Sequence, residues 1–183
     1  TSTVQRHFPL YVFSGPARDD GVDHFCRMIY ARCTCVDIEV DLKHNLLDEG
    51  VWEELMRDER LLKHQCRLVS PPCSTFSDSR TVDSGAHGRP RQLRGEWAPD
   101  IYGFKAMLKD PNQSEKIKEG TCLALRAADL AALSLKQDVP WVAETPAVKE
   151  GKPSVTKLPE WIVIREKDVI VRKRIMQRML GSR

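Results

Sequence analysis

The sequence has no Cys-x-x-Cys pair among its six cysteines. Cys26, Cys33, Cys35, Cys66, Cys73 and Cys122 sit mostly inside apolar patterns, so reduced thiols are expected, with neither a disulfide frame nor a zinc site. No apolar run approaches the roughly 20 residues of a membrane-spanning helix. Residues 1–7 carry no signal-peptide or transit-peptide pattern. These absences predict an intracellular protein without a membrane partner. The chain opens on Thr1 rather than Met, so a piece excised from something longer is expected. Internal repeats and low-complexity tracts are missing, which excludes solenoid and collagen-like architectures. Neither sign of charge dominates: 29 Lys and Arg stand against 26 Asp and Glu, for a net charge of +3. That balance permits a nucleic-acid partner without arguing for one.

What is present describes a globular α/β domain. At 183 residues, 41% hydrophobic and 30% charged, the chain suits one domain with its own core. A core over about 8–160, an irregular loop over 78–100 and a basic C-terminal segment over 161–183 are expected. Phe8 to Ser14 reads as a buried strand stopped by Gly15-Pro16. Asp19 or Asp20 then caps a helix with Val22, Phe25, Cys26 and Ile29 inward. Cys33 to Val40 has strand composition and ends in acids, completing a first βαβ unit. Glu39 and Asp41 lie where nucleotide-binding folds place a carboxylate for ribose hydroxyls, although surface acids at strand ends are also common.

A helix is predicted from about Glu49 to Arg60, with Val51, Trp52, Leu55 and Met56 inward. Gln65 to Val69 is then a short strand that delivers Ser70-Pro71-Pro72-Cys73 at its C-terminal end. Two prolines fix the approach to Cys73. A thiol so held suits a nucleophile, and it equally fits a small buried hydrophobe. Thr75 to Asp100 is rich in Ser, Asp, Gly and Arg. Its Arg80, Arg89, Arg91 and Arg94 fit either phosphate contacts or a solvated loop, and packing is expected for Trp97 and Tyr102. Gln113 to Gln137 is strongly helical, with Ala124, Ala127, Ala128, Ala131 and Ala132 as a small-residue face. Trp141 to Ala143 is a further buried strand, stopping at Glu144. Trp161 to Ile164 reads as a short apolar strand or turn, and Asp168 to Leu180 as a basic amphipathic segment.

In a parallel sheet the Ser14-Gly15-Pro16 turn, the Cys73 thiol and the Glu144 carboxylate project to one rim. Their combination resembles the cytosine-C5 DNA methyltransferase family. Phe13-Ser14-Gly15 looks like its first cofactor motif, and Ser70-Pro71-Pro72-Cys73-Ser74-Thr75-Phe76-Ser77 is similar to its Pro-Cys loop. Glu144-Thr145-Pro146 stands where the family has Glu-Asn-Val. The phrasing is closest to divergent methyltransferase-like domains of retroelement or viral polyproteins, over roughly residues 8–160.

The resemblance implies a Rossmann-like class I methyltransferase fold: a mostly parallel sheet with helices on both faces, here without a target-recognition domain. It implies S-adenosylmethionine as cofactor, held by Phe13, Gly15, Glu39, Asn45 and Pro71, and a cytosine in DNA or RNA as substrate. Cys73 would attack C6, and Glu144 would bond the N3/N4 edge. The alternative is a catalytically inactive binding or assembly module of a larger protein. Only Gly21 follows Gly15 in a loop where the family carries several glycines. A cysteine hydrolase pairing Cys73 with His7, His24, His44, His64 or His87 is a third possibility.

Overall fold

A computed structural model describes residues 9–16, 19, 21–28, 32–76, 92–145 and 148–168. Four short strands form its sheet: β1 (Leu10–Val12), β2 (Thr34–Val36), β3 (Arg67–Val69) and β4 (Trp141–Ala143). Their order is β2-β1-β3-β4 and every pairing is parallel. Helices α1 (Val22–Met28), α2 (Glu49–Arg60) and α3 (Pro111–Gln137) lie in the connections between successive strands. Parallel neighbours need crossover connections, and helices in the connections produce this α/β architecture. None of the described helices is long and apolar enough to cross a membrane.

The chain groups into two compact units. The described residues up to Pro72 join Cys122–Thr145 in the first, and those between Cys73 and Thr121 join those from 148 onward in the second. In the first unit, Leu10 and Val12 are fully buried and Val69 nearly so, as central strands of a parallel sheet require. In α2 the Asp48 side chain accepts the Val51 amide at 3.1 Å and caps the helix. Trp52, Met56 and Glu59 form the buried face of α2, while Val51 and Leu55 are half-buried. On α3, Ala124, Ala127, Ala128 and Ala131 are buried, whereas Ala132, one step round the helix, is exposed. Asp138, at φ 57°, ends α3, and the Val139 amide returns to the Ser134 carbonyl at 2.9 Å.

A buried ionic cluster ties these elements together. The Glu59 carboxylate accepts Arg67 Nε at 2.6 Å and meets His64 Nδ1 at 2.5 Å. Arg67 also donates to Ser134 Oγ at 3.0 Å and Gln137 Oε1 at 2.7 Å. His64 Nε2 meets Thr34 Oγ1 at 2.9 Å. A fully buried charge survives only when its lone pairs and protons are matched in this way.

The second unit has its own core of Leu93, Ile101, Ile117, Val155, Leu158, Trp161 and Ile164. Here the strand or turn expected over Trp161 to Ile164 is corrected: residues 159–168 are helical. Leu158, Trp161 and Ile164 recur every three residues and share the buried side, a period that four consecutive apolar letters conceal. Pro159 supplies the fixed φ of a helix's first position. Lys157 is buried, donating to Glu96 at 2.5 Å and to the carbonyls of Lys149 and Lys152, each at 2.9 Å. Tyr102 is tied to Glu160 through its hydroxyl at 3.0 Å, but Trp97, expected to pack, is 54% exposed. Arg80, Arg89, Arg91, Asp20 and the segment 169–180 lie outside the described residues.

Candidate functional site

The strand order changes direction at β1, whose two neighbours are β2 on one side and β3 on the other. In open α/β sheets, ligands bind outside the carboxyl ends of the strands at such a point. A cleft of about 310 Å³ opens there in the first unit. Its walls are Phe13 and Gly15 after β1, Asp37, Ile38 and Glu39 after β2, His44 to Leu47, and Ser70 and Pro72 after β3, with Leu123 from α3.

Each wall has a local cause. Phe13 takes φ 61°, a left-handed conformation that is costly for a bulky residue, and its amide remains bonded to the Val36 carbonyl at 2.9 Å. Gly15 follows at φ 68°, where a side chain is disfavoured. The strand expected to run to Val40 stops at Val36, because Asp37 turns the chain. Its carboxylate accepts the Glu39 amide at 2.8 Å and, across the strand ends, the Gly15 amide at 3.0 Å. An Asp that bonds the backbone two residues on competes with the ladder and forms a turn. Asp37 thus fixes the shape of the cleft. The Glu39 carboxylate is exposed on the wall and makes no hydrogen bond among the described residues.

Asp41, the other acid considered for ribose, does not line the cleft. It caps a short 3-10 turn over Leu42–His44, accepting the Lys43 amide at 2.9 Å. Asn45 is on the wall, and its side-chain oxygen accepts the Leu47 amide at 3.1 Å. One lone pair and the amide NH₂ remain for a ligand. His44 Nδ1 is buried without a hydrogen-bond partner among the described residues. Pro71 is buried between two lining residues and does not itself line the cleft. Among the described residues that do, there is no lysine or arginine.

Glu144 follows β4 in the same unit, with its amide on the Val69 carbonyl at 2.9 Å. Ser70 Oγ donates to its carboxylate at 3.0 Å, and the Tyr11 hydroxyl lies 3.5 Å from the same oxygen. Tyr11 and Ser70 are themselves 3.2 Å apart. The two hydroxyls orient an otherwise exposed acid. Sequence reasoning passed over both, since a tyrosine inside a strand and a serine before two prolines have ordinary structural explanations. Asp37 was missed as well, although an acid directly after the last strand residue is a turn signal.

Cys73 opens the second unit, half-buried, with its carbonyl accepting the Phe76 amide at 2.8 Å. Thr75 and Phe76 are buried behind it. Arg94, grouped by sequence with arginines suited to phosphate, is fully buried in the same unit. Burial pushes its guanidinium down to about 10. Neither solvent nor a phosphate reaches it. Of the histidines weighed as a base, His64 has both ring nitrogens committed to Glu59 and Thr34, while His7 and His87 lie outside the described residues. No family model, curated protein or solved structure matches the chain.

Proposed function

We propose that the chain is a Rossmann-like methyltransferase domain of the cytosine-C5 type, acting on cytosine in DNA or RNA. The observation that carries this reading is the cleft at the carboxyl ends of β1, β2 and β3. It offers the Glu39 carboxylate, which has no hydrogen-bond partner among the described residues, apolar walls at Ile38, Leu46 and Leu47, and no described cation. Phosphate-bearing nucleotides are recognised through Arg, Lys or an anion-binding loop. An acidic and apolar cleft instead complements a nucleoside that carries positive charge. S-adenosylmethionine has that character, and when bound it supplies a methyl group on a sulfonium that leaves as a neutral thioether. Glu39 accepts from the ribose, Asn45 addresses the base edge, and the Asp37-fixed turn at Gly15 gives backbone access.

The chemical roles follow the resemblance. The Cys73 thiolate adds to C6 of cytosine, forming a carbon–sulfur bond and moving the ring's electron pair to C5. Glu144, held by Ser70 and Tyr11, hydrogen-bonds the N3/N4 edge and favours the ring form that accepts the thiolate. Once C5 carries the methyl group, a water molecule takes the C5 proton, the freed electron pair restores the ring double bond, and the carbon–sulfur bond breaks to release the Cys73 thiolate. A duplex cytosine has to leave the stack for this chemistry.

A non-catalytic binding or assembly module of a longer retroelement or viral protein is the second reading. It is favoured by Pro16 directly after Gly15, in a loop where close approach of backbone to ligand calls for further glycines. Calorimetric titration with S-adenosylmethionine and ATP, followed by transfer of labelled methyl to cytosine-containing DNA and RNA, separates the two. Binding of the first ligand alone, with transfer lost in Cys73→Ser, is the expected result. Absence of nucleoside binding at millimolar ligand overturns the enzyme reading, and binding without transfer selects the module.

A further inference from the structure

Arg94 is a fully buried cation whose described hydrogen-bond acceptors are all neutral. Its Nε donates to Thr75 Oγ1 at 3.1 Å. One Nη donates to the Ile101 carbonyl and Thr121 Oγ1, both at 2.9 Å, and the other to the Ile117 carbonyl at 2.7 Å. The guanidinium also lies over the Phe76 ring, 4.0 Å from its centroid. Burying an arginine without a carboxylate is expensive, and a core that needed only volume would use an apolar side chain. What the arginine adds is a planar fork that grips several fixed acceptors at once.

Two of the groups in its grip, Thr75 and Phe76, belong to the turn that Cys73 opens, and the Phe76 amide closes that turn on the Cys73 carbonyl. The opposite wall is helix α3 at Gly120, where an added Cβ would stand 2.6 Å from Thr75 Oγ1 and 3.3 Å from the Arg94 guanidinium. The turn is therefore pinned between a helix backbone stripped of its side chain and a buried fork. Thr75 and Arg94 are nineteen residues apart in sequence, so nothing local would produce this arrangement.

We propose that Arg94 is the positioning residue of the Cys73 turn, fixing Thr75 and Phe76 so that the thiol is held in one direction for attack. This rests on Cys73 being the nucleophile of the reaction proposed above. Lysine keeps the charge but cannot span Thr75, Ile101, Thr121 and Ile117 together. In Arg94→Lys the turn loosens, and a displacement of the order of 1 Å at a nucleophile costs up to about 100-fold in rate.

The test uses the full chain as wild type, Arg94→Lys and Thr75→Val, each counted by its folded fraction. Methyl-transfer kinetics are measured alongside the iodoacetamide alkylation rate of Cys73, read by peptide mass spectrometry with Cys122 as internal reference. In Arg94→Lys, kcat is expected to fall about tenfold or more, with KM for the methyl donor within about twofold. The Cys73 to Cys122 alkylation ratio should change at least about threefold, and Thr75→Val should move both in the same direction by less. A folded variant with wild-type kcat and an unchanged alkylation ratio overturns the assignment, because a merely structural arginine would show only in stability. If Arg94→Lys does not fold, the same readouts on Thr75→Val decide. If the wild type transfers no methyl group, the reading of the preceding section has failed, and the alkylation ratio alone judges Arg94.

Discussion

The Asp37 carboxylate accepts the backbone amide of Gly15 at 3.0 Å, joining the turn after β1 to the turn after β2. Its second oxygen holds the Glu39 amide at 2.8 Å, so one side chain sets two walls of the cleft. In Asp37→Ala both amides lose their acceptor. A loss of about 1–3 kcal/mol of stability is expected, together with about tenfold weaker nucleoside binding. Asp37→Asn keeps one accepting oxygen and should fall between the two. Urea unfolding and calorimetry check this, and unchanged affinity in Asp37→Ala would show that the turn does not shape the binding surface.

Ser70 and Tyr11 act on Glu144 unequally, at 3.0 Å and 3.5 Å. Ser70→Ala is expected to lower methyl transfer about tenfold, the equivalent of about 1.4 kcal/mol in the barrier, and Tyr11→Phe about two- to threefold. Because the two hydroxyls also lie 3.2 Å apart, the double variant should be less impaired than the product of the singles. Strict multiplicativity in a double-mutant cycle would mean that the two hydroxyls act independently.

The thiols give a pH dependence. Burial raises Cys33 above its ordinary value of 9.0, with the neighbouring thiols of Cys35 and Cys26 adding to it, and burial likewise raises Cys66. A folded-state value above the unfolded one means that the unfolded chain releases these protons first. The contribution is complete below pH 9 and is lost as pH rises from there toward the folded values. Under reducing conditions the urea midpoint should therefore drop between pH 8 and pH 10. The drop should be smaller in Cys33→Ala, and an equal drop in that variant would assign it to other groups.

The elements that carried a clean period were legible. Trp52 and Met56 of α2 and the alanines of α3 from Ala124 to Ala131 are buried where spacing put them. The strand end before Gly15 was legible for a related reason: a buried run followed by turn residues can only surface there. The geometry that sequence withheld depends on residues distant along the chain. Asp37 was read as strand because its role is a bond to Gly15, 22 residues away. Arg94 read as a solvated or phosphate-binding arginine because two of its acceptors are carbonyls, which leave no trace in the residue letters, and the other two are threonines 19 and 27 residues away. Trp161 to Ile164 read as a strand or turn because four apolar letters show no period until Leu158 is placed beside them.

Glu59 offers the sharpest stability test. Its carboxylate is fully buried and is the acid that balances Arg67, also fully buried, while it meets His64 on its other oxygen. Removing one partner of such a pair leaves an uncompensated charge, so Glu59→Ala should cost about 3–5 kcal/mol in urea unfolding. Replacing both charges together, as Glu59→Leu with Arg67→Met, removes the penalty at its source and should recover much of the loss. Recovery stays partial, because Ser134 Oγ and Gln137 Oε1 lose the donors that Arg67 supplied. A single variant within about 1 kcal/mol of wild type would mean that water or another carboxylate reaches Arg67, and the cluster would then not hold α2, β3 and α3 together.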